Sequence, residues 1–72
     1  MSTKELAQAY LAQGSMVKAA ATMLNLIKRE PTPENLALLA DIYLEQGLFD
    51  DAKELYLRVV KAGLNGASPK KS

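Results

Sequence analysis

ENLALLADIYLEQGLFDDAKELYLRVVKAGLN, residues 34–65, decides how this chain is read. In its first half Leu36, Leu39, Ala40, Tyr43 and Leu44 recur every three or four positions and form one apolar stripe of a helix. Gly47 follows where a helix closing on a left-handed residue needs glycine. A second helix is predicted from Asp50, with Ala52, Leu55, Tyr56, Val59 and Val60 as its stripe and Gly63 followed by Leu64 as its stop. A stripe on one side of a short helix has to be covered. The two bury each other as an antiparallel hairpin.

The preceding residues repeat this plan. Ser2 and Glu5 have the spacing of a capping box, and Leu6, Ala7, Tyr10 and Leu11 make a stripe that ends at Gly14. Ser15 is expected to cap the next helix, which carries Ala19, Ala20, Met23, Leu24, Leu26 and Ile27 and runs to about Arg29. It must stop near Glu30, because the residue before Pro31 is disfavoured in helical geometry. Thr32 as cap and Pro33 as first helical residue restart the chain. Laid 33 positions apart, the halves match at Leu6, Ala7, Tyr10, Leu11, Gln13, Gly14, Ala19, Leu24 and Lys28 against Leu39, Ala40, Tyr43, Leu44, Gln46, Gly47, Ala52, Leu57 and Lys61. The fold class is therefore all-α, with four helices in two hairpins. One domain over 1–66 holds repeats at about 2–32 and 33–65. Residues 67–72, with Lys70 and Lys71, read as a flexible basic tail.

Composition narrows the functions. At 72 residues a single core leaves a margin of about 3 to 5 kcal/mol, and there is no cysteine or histidine to add a staple. Nine basic residues against eight acidic ones do not suit a protein that holds nucleic acid by charge. No run is long enough to span a membrane and the first residues lack the apolar core of a signal peptide, so the cytoplasm is the expected compartment. Neither a glycine-rich phosphate loop nor an acid isolated on an apolar face is present, and catalysis, metal and cofactor are not expected. Asp50 and Asp51 suit a helix start, Lys28 and Arg29 a helix end, and Tyr10, Tyr43 and Tyr56 a core.

Residues 34–65 resemble a tetratricopeptide repeat. Leu36, Leu39, Ala40 and Tyr43 match that family's large, large, small and aromatic positions on a first helix, and Gly47 with Phe49 matches its turn. Ala52, Tyr56 and Val59 match the second helix, while Leu64 stands where the family has proline. Small residues at Ala40 and Ala52 let two backbones approach. The resemblance implies a short right-handed solenoid of stacked hairpins that binds a protein or peptide as a scaffold or adaptor, without catalysis. The ending VVKAGLN, residues 59–65, is also similar to pentatricopeptide repeats that read single-stranded RNA, a reading weakened by the acidic stripe and the two-hairpin length.

The same resemblance places recognition on the outer face of each first helix. That face comprises Lys4, Glu5, Gln8, Leu11 and Ala12 in the first repeat and Glu34, Ala37, Leu38, Asp41, Leu44 and Glu45 in the second. An acidic rim over an apolar floor favours an apolar or basic peptide over a terminal carboxylate. A second surface is expected on the last helix, where Tyr56, Leu57, Val60 and Leu64 would stay uncovered and could pair two copies in a homodimer.

Overall fold

The computed structural model describes residues 2–67, with side chains through Gly63. Its described residues form α1 (Thr3–Ala12), α2 (Met16–Arg29), α3 (Pro33–Glu45) and α4 (Phe49–Ala67), an all-α stack of two hairpins. Each helix packs against the next along the chain, α1 on α2, α2 on α3 and α3 on α4.

Local chemistry sets the boundaries. The Ser2 side chain accepts from Glu5 N–H at 3.1 Å while Glu5 Oε1 accepts from Ser2 N–H at 2.8 Å, so the capping box forms as expected. Hydrogen bonding by Ser2, from its backbone first and its side chain second, holds the Glu5 carboxyl below its ordinary value. At α3 the Thr32 hydroxyl accepts from Asn35 N–H at 3.2 Å, with Pro33 in the first turn where no partner for its nitrogen is needed.

The two turns are copies of one another. Gly14 and Gly47 take φ of +78° and +79°, the left-handed region that L side chains resist. The closing bonds repeat in the same register, as expected for a Schellman turn. Tyr10 O accepts from Ser15 N–H at 2.8 Å and Leu11 O from Gly14 N–H at 2.9 Å; Tyr43 O accepts from Leu48 N–H at 2.9 Å and Leu44 O from Gly47 N–H at 3.0 Å.

Three boundary expectations are corrected. Ser15 makes no side-chain cap: its N–H closes the turn behind it, and its ψ of 70° is not the extended backbone that aims a capping hydroxyl forward. The last helix opens at Phe49 rather than Asp50, with Ala52 N–H bonding Leu48 O at 3.0 Å. Gly63 does not stop that helix, which runs on to Ala67. A glycine inside a helix costs about 1 kcal/mol relative to alanine, which weakens a helix without ending it. Apart from Ala67, the expected tail over 67–72 lies outside the described residues, as does the Leu64 side chain.

The core runs between the hairpins. Ala7, Ala19, Met23, Leu39 and Ala40 are wholly buried, joined by Ala20, Leu26, Ile27, Leu36, Ile42 and Leu55. Tyr10, Tyr43 and Tyr56 pack against this cluster as half-buried rings. Three expected core leucines are instead partly open, Leu6 at 39%, Leu24 at 42% and Leu44 at 46% exposure, and so is Val60 of the last stripe at 55%. Leu6 lies on the first helix, which has no helix packed outside it among the described residues; Leu39, its counterpart in α3, is sealed between α2 and α4.

Candidate functional site

The expected groove residues lie on α1 and α3. Lys4 and Gln8 are exposed on α1, and Glu34, Asp41, Leu44 and Glu45 are exposed on α3. Leu11 and Leu38 are half-buried and pack against the core, so they offer only an edge to a ligand. Glu5, on the same face, is engaged in the capping box.

Asp41 has a partner that the sequence reading did not anticipate. The Tyr56 hydroxyl on α4 donates to Asp41 Oδ1. This bond raises the Tyr56 phenol above its ordinary value, with burial and the Asp41 charge adding to the effect. Asp41 is thus an exposed carboxylate that also ties α4 to α3, not a freely solvated rim group. Burial, aided by the negative charge of Asp51, likewise raises the Tyr43 phenol.

The structure joins two surfaces that the sequence reading kept apart. Leu44, expected in the groove, lines one apolar cleft of about 300 Å³ with Phe49, Ala52, Lys53, Tyr56, Leu57 and Val60. Phe49 is 65% exposed, Val60 55%, Leu57 53% and Leu44 46%, which makes this the open side of the second hairpin. Phe49 and Lys53 were not among the expected site residues. The register itself could have found them, because Phe49 and Lys53 answer to Met16 and Ala20 on α2, where α3 packs.

Asn35 is the other residue the sequence reading passed over. It is 6% exposed, and its side-chain Nδ2 donates to Glu30 O at 2.9 Å. This bond ties the carbonyl of Glu30, the residue that caps the C-terminal end of α2, to the first turn of α3.

A repeat of 33 residues, the same turn closure twice, and small residues buried in the same register at Ala7 and Ala40 and at Ala19 and Ala52 are now in place. The family profile described as tetratricopeptide repeat matches residues 5–33 and 36–62, most of the chain. The chain belongs to the tetratricopeptide repeat family. Repeats of this family are generally protein–protein interaction modules. Comparison with curated proteins and with solved structures returned no match. Among the described residues no helix is long and apolar enough to cross a membrane.

Proposed function

We propose that this pair of tetratricopeptide repeats works as a non-catalytic adaptor that holds an apolar or basic peptide segment against the outer faces of α1 and α3. The observation that carries this reading is the α3 face. Glu34, Asp41 and Glu45 stand exposed along one helix beside exposed Leu44, so negative charge borders an apolar strip. Lys4 and Gln8 on α1 are the matching exposed residues of the first repeat. Such an arrangement steers and orients a basic partner while apolar contact supplies the affinity.

Glu34→Lys with Glu45→Lys tests it, because both side chains are exposed and the Asp41–Tyr56 bond is left intact. Partners captured from the native cell extract by the wild-type chain are expected to be lost by the double variant, with helicity unchanged by circular dichroism. Equal capture by both places recognition on another face.

Self-association through Tyr56, Leu57, Val60 and Leu64 is the second reading. The exposure of Leu57 and Val60 speaks for it. Lys53, one turn after Phe49 and one turn before Leu57, speaks against a face that meets its own copy, since pairing would press each ammonium into apolar side chains.

A further inference from the structure

Lys18 and Tyr10 show what the first repeat does with its tyrosine. The Lys18 ammonium lies over the Tyr10 ring, with Nζ 5.9 Å from the ring centre, a cation held against an aromatic face within one repeat. At a spacing of 33 the second repeat keeps the ring, as Tyr43, and reverses the charge, with Asp51 in the place of Lys18. One turn further along, Glu54 stands where the first repeat has the neutral Ala21. The aromatic face is retained, and the lysine that sits on it is exchanged for acids.

Around Tyr43 the chain also builds a cleft. It measures about 160 Å³ and lies where α2, α3 and α4 meet, with Leu24 and Ile27 of α2, Leu39 of α3 and Leu55 of α4 as apolar walls. Leu24, 42% exposed, gives the cleft an apolar lip. Tyr43, Asp51 and Glu54 line the same space, and the charge of Asp51 reaches the Tyr43 phenol. Apolar walls for a stem, with a ring face and two exposed carboxylates for a head, suit a primary ammonium on an aliphatic chain. Arg58, two turns after Asp51 on α4, lines the cleft as well and narrows the choice. A second positive charge on the ligand would be repelled by the guanidinium, whereas a carbonyl would accept a hydrogen bond from it. A lysine within a polypeptide has this form, with one ammonium, a flexible stem and backbone carbonyls at the other end.

We infer that this cleft between the repeats takes the side chain of a lysine presented by a partner protein, its ammonium held by Asp51 and Glu54 at the Tyr43 ring and its backbone facing Arg58. The partner's lysine then does for Tyr43 what Lys18 does for Tyr10. No residue lining this cleft belongs to the groove on α1 and α3 or to the open face of α4, so this site and the proposed peptide groove stand or fall separately.

The test titrates the full 72-residue chain with Nα-acetyl-lysine methylamide, a lysine side chain between two peptide groups, followed by NMR. Shifts are expected in the Tyr43 ring and in the amides of Asp51, Glu54 and Leu55. Acetylating the side-chain amine keeps the stem and removes the charge, and is expected to weaken binding about tenfold. Asp51→Asn keeps a polar group in the first turn of α4 and is expected to weaken the charged probe about fivefold. Asp51→Lys copies the first repeat and is expected to abolish binding, with helicity unchanged because the position is exposed. Putrescine, a free diamine, is expected to bind less tightly than the blocked lysine because its second ammonium meets Arg58, and Arg58→Gln is expected to remove that difference. The proposal is overturned by no shift at tens of millimolar probe, by shifts confined to the groove on α1 and α3, by equal binding of the acetylated probe, or by unchanged affinity in Asp51→Asn. Tighter binding of putrescine overturns it in favour of a free amine.

Discussion

The Tyr56 hydroxyl on α4 donates to Asp41 Oδ1 on α3, joining the two helices of the second hairpin at the border of its open face. The bond favours the neutral phenol, and Tyr56 is raised from its ordinary 10.0 by that bond first and by burial second. Stabilisation from this pair is therefore complete below pH 10 and is lost as pH rises through the higher folded value. Asp41→Asn is expected to bring one tyrosine back down in an absorbance titration of the phenolate band, and Tyr56→Phe is expected to remove that same titration. A titration curve unchanged by Asp41→Asn would show that the carboxylate does not set the shift.

Glycines 47 and 63 predict opposite signs for the same substitution. An added Cβ meets nothing within 4 Å at either, so only the backbone decides. Gly47 sits at φ +79°, where a side chain costs about 1 to 2 kcal/mol, and Gly47→Ala is expected to lower the melting temperature. Gly63 lies within α4, where alanine is the better residue by up to about 1 kcal/mol, and Gly63→Ala is expected to raise it. Thermal melts of the two variants beside the wild type read the difference. A loss of stability in Gly63→Ala would restore that glycine as a helix stop.

Asn35→Leu is expected to cost about 1 to 3 kcal/mol although it makes a buried site more apolar. The reason is the carbonyl of Glu30, which loses the side-chain Nδ2 donor now 2.9 Å away. Urea titration measures the loss. If Asn35→Leu is as stable as the wild type, that carbonyl is satisfied by solvent and the joint between the repeats does not depend on it.

The acid limb has its own sensitive group. Glu5 is held below its ordinary value by Ser2, so its contribution is present above the ordinary carboxylate range and fades as pH falls through the lower folded value. Glu5→Gln keeps an acceptor without the charge and is expected to flatten the fall in stability as pH drops below the ordinary carboxylate range. An identical profile for the variant would mean that other carboxylates govern acid unfolding.

Signals confined to a few adjacent residues were legible in the sequence, and those that depend on a neighbour in space were not. The Ser2–Glu5 box, the Thr32 cap and the left-handed Gly14 and Gly47 follow from local backbone chemistry and appear as expected. Ser15 looks like a cap because serine before a helix commonly is one, but the preceding turn leaves it at ψ 70°, where the hydroxyl is not aimed at the first-turn amides. Leu6 and Leu24 carried the right period for a core yet lie where too little is packed over them to bury them. The Asp41–Tyr56 bond and the burial of Asn35 join residues on different helices or across a helix junction, which periodicity cannot see. The candidate site was half legible for the same reason: Leu57 and Val60 stood out as apolar residues on the last helix, whereas Lys53 gains meaning only beside the covered Ala20.

Ala19 and Ala52 hold the same place in the two repeats, and the structure predicts that they tolerate a larger side chain differently. Both are sealed from solvent, at 0% and 1% exposure, as expected where helices of a hairpin approach closely. Extra methylenes in such a place force neighbouring side chains or backbone to move, at about 1 to 3 kcal/mol. Ala19 belongs to the central cluster, on the helix that both α1 and α3 pack against. Ala52 borders the open cleft between Leu44 and Tyr56, so part of a leucine there can turn outward. Ala19→Leu is therefore expected at the upper end of that range and Ala52→Leu at the lower end. With a total margin of about 3 to 5 kcal/mol, the first variant approaches unfolding at room temperature. Each kcal/mol moves the midpoint by about 4 to 8 °C in a domain of this size, so melts followed by helical circular dichroism separate the two. Equal losses would show that the cleft gives no relief at position 52, and two unchanged midpoints would show that the hairpins do not approach at these alanines at all.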